Sequence, residues 1–338
     1  MRTHEDGAAA SGEGVRALLS FALTALLAAA LLLVGCAAAK DAPAGDAPAA
    51  GDDGRISVIA TIFAPYDFAR QVAGGRAELR MLVSPGIETH SFEPTPQDIL
   101  DIEGCDLFVY VGGESDEWVA DLLSSVDTSA VTVIRLIDCV ETVAEDDSVL
   151  VNPAEAEEEE EEGAPDEHVW TAPANARLIT EALASAFERT DPGNASAYQA
   201  NADAYLAQLD ALDARFKEVA LGGERRTLVF GDRFPFRYFA DAYGLTCYAA
   251  FPGCSTATEA SAQTVAALID TVKREGVPVV FYRELSSPGI AEAIAEATGA
   301  RALLLHSCHN ISQEDFDAGE TYVSIMGRNA DNLALALG

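Results

Sequence analysis

The residues of this chain that are best suited to chemistry are histidines in predicted loops. His90 follows a predicted strand across a Pro-Gly turn, His168 lies where an acidic loop gives way to a predicted helix, and His306 directly follows a predicted strand. Neutral imidazole is a good ligand for zinc, copper, iron and nickel. One loop histidine is often incidental, but three at the ends of separate elements predict a metal site formed by His90, His168 and His306.

Other side chains near the predicted strand ends leave the rest of the site open. His309, Cys308 and Glu284 are reserve ligands, and Glu284 could instead form an ion pair with Arg233 or Arg283. Cys308 has a second use open to it, because the loop after Cys254 could bring the two thiols together. An exported location would permit that disulfide. The sequence therefore leaves two alternatives for Cys308, a Cys254–Cys308 disulfide and a thiolate ligand.

The composition is strongly acidic, with a formal charge of −34 from 21 basic and 55 acidic residues. Such a charge repels nucleic acid and anionic lipid headgroups and attracts cations. It excludes a nucleic-acid-binding protein and permits a cationic ligand without proving one. The densest acidic run lies in the predicted loop 138–167, which is either a solvated insert or a weak collector of divalent ions.

The N-terminal residues have the features of an export signal. Arg16 precedes an apolar run over residues 17–34, and small residues follow it; this arrangement is typical of a secretory signal. The tetrapeptide LVGC at 33–36 resembles a bacterial lipobox, which implies signal removal and lipidation of Cys36. A single membrane-spanning helix is the alternative, since the run is near the lower length limit for a span. We expect a protein anchored by lipid to the outer face of the cytoplasmic membrane.

Strand and helix signals alternate in two series that are separated by two long helical segments. Short strands alternating with helices predict parallel sheets with helices on both faces. The fold class is therefore α/β, with two lobes, each a parallel sheet flanked by helices, joined by a long rigid helical connector. The expected divisions are a signal peptide (1–35), a flexible tether (36–54), an N-terminal lobe (55–170), connector helices (171–222) and a C-terminal lobe (223–338). In open α/β sheets ligands bind beyond the carboxyl ends of strands, so the metal site is expected in the cleft between the lobes.

Three segments resemble motifs of one family, the zinc and manganese solute-binding proteins of ABC importers. They read GIETHSFEPTPQD at 86–98, DEHVWTAP at 166–173 and GETYVSIM at 319–326. In that family a histidine at the position of His90 and another at the position of His168 bind the metal. The resemblance covers residues 55–338 in order and spacing, and it implies the two-lobed fold.

The resemblance fails at the third ligand of the family, a His or Glu, because Arg233 stands at that position. An arginine stays protonated and cannot bind a metal. The ligand is then either lost or supplied by Asp232, for which the alternatives are a helix N-cap or an ion pair with Arg233. The fourth family position is usually an Asp, and here the resemblance places His306 there. This exchange favours zinc over manganese.

The resemblance implies a monomeric binding protein without catalysis that delivers Zn²⁺ to the permease of an ABC importer. The alternatives within this reading are a manganese or iron binder of the same family and a surface adhesin. A zinc hydrolase is a further alternative because three histidines can activate a bound water, although no HExxH motif occurs. A thiol oxidoreductase is disfavoured, since no CxxC motif occurs.

Overall fold

In the part of the chain that the structure describes, eight short strands form two separate four-stranded sheets. The computed structural model describes residues 54–89, 92–145, 149–150, 165–255 and 259–338. The strands, in chain order from β1 to β8, are Ile56–Ala60, Ala77–Met81, Leu107–Tyr110, Thr132–Arg135, Thr227–Arg233, Thr246–Phe251, Val279–Tyr282 and Arg301–Leu304.

Both sheets are parallel and share one topology. Their strand orders are β2-β1-β3-β4 and β6-β5-β7-β8, and every strand pair runs parallel. The strand that begins each series is flanked on both sides by later strands, so each sheet has a point where the strand order reverses. Loops that leave the carboxyl ends of strands at such a point form a ligand-binding crevice.

Within the described residues, ten α-helices accompany the sheets. In chain order from α1 to α10 they are Phe63–Ala73, Pro96–Gly104, Glu117–Ser125, Pro173–Thr190, Ala195–Gly222, Arg237–Tyr243, Ala262–Glu275, Gly289–Thr298, Gln313–Asp317 and Tyr322–Leu337. Local sequence explains several starts. The Thr95 side chain accepts a hydrogen bond from the Asp98 amide, and the Asp98 carboxylate accepts one from the Thr95 amide. This reciprocal pair is a capping box, and it begins α2. Thr321 begins α10 with a second capping box, and the Ser261 side chain caps α7 by accepting a hydrogen bond from the Thr264 amide.

The connector consists of two helices, α4 and α5, that pack against each other. Each buries one apolar stripe at helical spacing, for example Ile179, Leu183 and Phe187 on α4. Burial of large side chains at this spacing is what makes these helices stable. A single apolar core runs from β1 through both connector helices to Leu337 in α10, so the two lobes share a core.

These features confirm the predicted fold class: two lobes with parallel sheets, flanked by helices and joined by a helical connector. One local feature matters for the site. Strand β5 runs on to Arg233, with a shift in pairing register between Phe230 and Arg233. Asp232 and Arg233 therefore lie at the end of a central strand, where polar side chains face the cleft.

The predicted signal peptide and its lipidated Cys36, and all but the last residue of the predicted tether, lie outside the described residues. The predicted domain boundaries stay predictions. Within the part of the chain that the structure describes, no helix is both long and apolar enough to cross a membrane.

Candidate metal centre

Three buried side chains from both lobes bring their donor atoms together. Glu167, His168 and His309 each offer one ligand atom, and these atoms lie within 4.8 Å of one another. The three residues are 1%, 0% and 2% exposed. His309 Nε2 is 4.0 Å from Glu167 Oε1, and the two imidazole rings lie edge to face with centroids 5.4 Å apart. Two imidazoles and a carboxylate form a donor set that suits zinc.

His168 is held in the geometry of a metal ligand. Asp166 Oδ1 accepts a hydrogen bond from the His168 backbone amide at 2.8 Å and lies 3.1 Å from the ring Nδ1. A carboxylate at Nδ1 places the proton there and leaves Nε2 with a free lone pair. Among the described residues, the buried Nε2 has no hydrogen-bond partner. A buried nitrogen in this state is suited to binding a cation.

The surroundings of His168 are electrostatically negative. Burial by itself lowers the pKa of His168, but the carboxylates of Asp166, Glu167 and Glu145 more than offset it, so that the pKa is raised above its ordinary value. The centre therefore favours a positive charge at this ring, which a bound metal cation would supply.

Glu167 lies on the side of the N-terminal lobe. Its two carboxylate oxygens accept hydrogen bonds from the Ser115 amide at 2.9 Å and from the Ser115 hydroxyl at 2.5 Å. A Cβ on Gly113 would come within 2.1 Å of the Glu167 Cβ, so a glycine is required there. Ser115 thus fixes the orientation of the Glu167 carboxylate while Gly113 makes room for it.

His309 is positioned by the loop that follows β8. The buried Glu284 carboxylate accepts hydrogen bonds from the Ser307 amide at 2.7 Å, the Ser307 hydroxyl at 2.5 Å and the His309 amide at 3.1 Å. Trp170 connects this loop to His168, because its indole N–H donates to the Ser307 carbonyl at 2.8 Å. Glu284, a reserve ligand in the sequence analysis, therefore lies behind the centre as an acceptor for the loop.

His306 is placed differently from His309. Its ring Nδ1 accepts a hydrogen bond from the Cys308 amide at 3.0 Å, so the lone pair of Nδ1 is occupied and the neutral ring carries its proton on Nε2. Burial lowers the pKa of His306, which favours that neutral form. Asn329 fixes the backbone, since its side chain bonds both the amide and the carbonyl of His306. The structure thus brings His168 together with His309, and His306 does not belong to the group.

Asp232 is engaged away from the three donors. Its oxygens accept hydrogen bonds from the Arg233 amide at 2.8 Å and the Arg283 amide at 2.9 Å, and from the Ser286 hydroxyl. The sequence left open an ion pair between Asp232 and Arg233. The structure instead places Arg283 Nε 3.7 Å from Asp232 Oδ1. Asp232 is not among the grouped donors.

Three predicted residues remain, namely His90, Cys254 and Cys308. His90 lies outside the described residues. Cys254 and Cys308 are free thiols, so the structure lacks the disulfide that the sequence left open as one of two alternatives for Cys308. Burial raises the pKa of both thiols well above its ordinary value, which favours the protonated thiols, and neither sulfur belongs to the donor group found among the described residues.

Residues 58–336 match the family model described as the periplasmic zinc-uptake complex component A. The chain belongs to this family. The predicted resemblance to metal-binding solute-binding proteins of importers is thereby confirmed.

Relatives with known names support the assignment. The zinc-binding lipoprotein AdcA of Streptococcus pneumoniae (serotype 4) is 30% identical over 307 residues, which are 89% of this chain and 57% of the relative. The high-affinity zinc uptake system protein ZnuA of Bacillus subtilis is 29% identical over 318 residues, 91% of this chain and 95% of the relative. The chain thus spans little more than half the length of the streptococcal relative.

Solved structures of the family have the same fold. The Zn(II)-bound AdcA of Streptococcus pneumoniae superposes with a TM-score of 0.71 at 26% identity, covering 84% of this chain and 58% of that one. The metal-dependent lipoprotein YcdH of Bacillus subtilis gives a TM-score of 0.70 at 27% identity, covering 84% and 100%.

Sequence reasoning missed Glu167 as a donor of the centre and kept His309 only as a reserve. A signal for Glu167 was present, since it directly precedes His168 in the family-like motif DEHVWTAP. It was hidden by the acidic run before it, because carboxylates in such a run are usually solvated. For His309, spacing alone could not tell which histidine of the LHSCHN segment faces the cleft.

Proposed function

We propose that this protein captures a zinc ion outside the cell and delivers it to the permease of an ABC importer. Glu167, His168 and His309 hold the ion between the lobes, and His90, which the sequence predicts as a ligand, is the candidate for the fourth position. The observation that carries this proposal is the convergence of three buried donors, together with a His168 Nε2 that has no other partner in the described part of the chain.

The donor set decides between metals. Two imidazoles and one carboxylate suit zinc, whereas manganese prefers a set dominated by oxygen ligands. Donors on one zinc ion lie at roughly 2.0–2.2 Å from it, which places tetrahedral donors about 3.4 Å from one another. Binding would therefore draw the three donor atoms together from separations of up to 4.8 Å. The ion is cargo, and we propose no catalytic step at this site.

The delivery part of the proposal rests on family membership and on the N-terminal residues. A binding protein that serves an importer must stay near the membrane, and lipidation of Cys36 with a flexible tether would keep it there. We propose a monomer on the outer face of the cytoplasmic membrane, in keeping with the name of the related zinc-binding lipoprotein AdcA.

The test compares two proposed ligands, His168 and His309, with His306, which neighbours His309 in the loop after β8. We expect His168→Ala and His309→Ala each to weaken zinc binding by about 100-fold or more, since each removes a metal ligand, measured by competition with a chromogenic chelator on the purified protein.

The matched control is His306→Asn, because an Asn carbonyl oxygen can replace the ring Nδ1 as acceptor for the Cys308 amide. We expect this variant to bind zinc within about threefold of the unaltered protein. Tight binding by His309→Ala together with loss in His306→Asn would reject the ligand set.

A further inference from the structure

A cluster of charged side chains links the two lobes beside the candidate metal centre. Glu88 lies in the loop after β2, in the N-terminal lobe, and Arg233 and Arg283 lie at the ends of β5 and β7, in the C-terminal lobe. Glu88 Oε2 is 3.3 Å from Arg283 Nη2 and 3.5 Å from Arg233 Nη1. One carboxylate thus contacts two cations of the opposite lobe.

The two arginines are buried and depend on this carboxylate. Their side chains are 8% and 5% exposed, while that of Glu88 is 39% exposed. Arg233 Nη1 and Arg283 Nε have no hydrogen-bond partner among the described residues. Asp232 provides one further negative charge, 3.7 Å from Arg283 Nε. The ion-pair partners of the two buried cations are thus Glu88 and Asp232, and Glu88 comes from the other lobe.

Backbone hydrogen bonds hold the same loop against the C-terminal lobe. The Asn310 side-chain amide donates to the carbonyls of Ser84 at 2.9 Å and Ile87 at 2.7 Å. The Gly86 amide donates to the Ile311 carbonyl at 2.8 Å. In the sequence, loop 84–89 is followed directly by His90. The contacts that fix this loop therefore also fix the point from which the chain continues to His90.

We infer that Glu88, Arg233 and Arg283 are positioning residues that hold loop 84–89 against the C-terminal lobe. At the end of β5, the position of the third metal ligand implied by the family resemblance is occupied by Arg233. This arginine forms an ion pair with Glu88 of the opposite lobe. The contact between the lobes is therefore made in part without metal. The effect on zinc affinity rests on the proposed function, while the effect on the loop in the metal-free protein does not.

The charge balance gives a specific expectation for variants. Glu88→Gln leaves the two buried arginines with Asp232 as their one ion-pair partner in the cluster, and an unpaired buried charge is costly because it must be desolvated. Removing Arg233 as well, with Arg233→Met, leaves a balanced pair of Arg283 and Asp232. The double variant is therefore expected to recover much of what the single variant loses, which a purely steric role of Glu88 would not produce.

The experiment measures two quantities on each variant. The first is amide hydrogen exchange of the segment 84–89 in the metal-free protein, where the Gly86 amide reports the contact with Ile311 directly. The second is the dissociation constant for zinc. Glu93→Gln is the matched control, because Glu93 is an exposed carboxylate a few residues further along the chain.

We expect Glu88→Gln to speed exchange of 84–89 and to weaken zinc binding, each by about tenfold. Glu88→Gln with Arg233→Met should return both quantities to within about threefold of the unaltered protein, and Glu93→Gln should change neither. Exchange in Glu88→Gln equal to that in Glu93→Gln would overturn the inference. Faster exchange with the expected recovery, in a protein that binds no zinc in any form, would support the inference and reject the proposed function instead.

Discussion

The imidazole of His168 has one nitrogen engaged by Asp166 and the other free inside a buried, negative environment. This arrangement fixes the tautomer and aims a lone pair at the cleft, which is how proteins prepare histidine for a metal. His306, which lies in the same loop as His309, shows the opposite arrangement, because its Nδ1 accepts a hydrogen bond from the Cys308 amide. At the scale of residues, second partners decide which histidine can bind, and a sequence does not reveal them.

Asp116 is a second buried carboxyl near the centre. Burial and the neighbouring Glu167 raise its pKa to about 7, although its Oδ2 accepts hydrogen bonds from the Val111 amide at 2.7 Å and the Gly112 amide at 3.2 Å. Because the folded protein keeps this proton to higher pH than the unfolded chain, stability falls as pH rises from the ordinary value of 3.8 to about 7. Above that range the destabilisation by the buried charge is complete.

We predict that Asp116→Asn stabilises the protein at pH 8 by on the order of 1 kcal/mol or more, since the Asn oxygen can accept the same amides and the buried charge is gone. The gain should shrink toward pH 4. Urea unfolding at a series of pH values measures it. A stability difference that does not change with pH would show that the carboxyl is not perturbed in this way.

At the scale of elements, two loops after the C-terminal strands build one half of the centre. The loop after β7 provides Glu284 and the loop after β8 provides His309. Leu285 and Cys308 have positive φ values of 58° and 60°, and they are the two non-glycine residues with positive φ in the described part of the chain. Backbone strain of this kind persists where surrounding contacts fix it, often at functional sites. Here the three hydrogen bonds that Glu284 accepts fix the loop.

Glu284 remains ionised although it is buried. Burial alone would raise its pKa, but the charge of Arg283 and the hydrogen bonds from Ser307 act in the opposite direction, and the pKa lies below its ordinary value. We predict that Glu284→Gln, which replaces an acceptor oxygen by an amide donor, weakens zinc binding by roughly 10–100-fold without removing a ligand. Isothermal titration calorimetry measures the change.

The matched control for this variant is Glu296→Gln on the exposed face of α8, which should bind zinc as the unaltered protein does. If Glu284→Gln also binds zinc with unaltered affinity, the loop does not need this acceptor and its role as described here is refuted.

At the scale of the whole molecule, the repeated alternation of strands and helices was sufficient to predict two parallel sheets and a helical connector. Apolar stripes such as that of Ile179, Leu183 and Phe187 mark the connector because burial requires that spacing. The site was predicted less completely. His168 stands out in its motif. Which of His306 and His309 joins the centre depends on how one loop folds, and the ion pair between Glu88 and Arg233 depends on contact between the two lobes.

The central claim is that one zinc ion lies between the lobes, bound by His168, His309 and Glu167. Crystals of the zinc-loaded protein, measured on both sides of the zinc absorption edge, would locate the ion by anomalous scattering. We predict a single strong peak within about 2.3 Å of His168 Nε2, the His309 ring and a Glu167 oxygen. A peak bound to His306 or Asp232, with His309 turned away, would contradict the account.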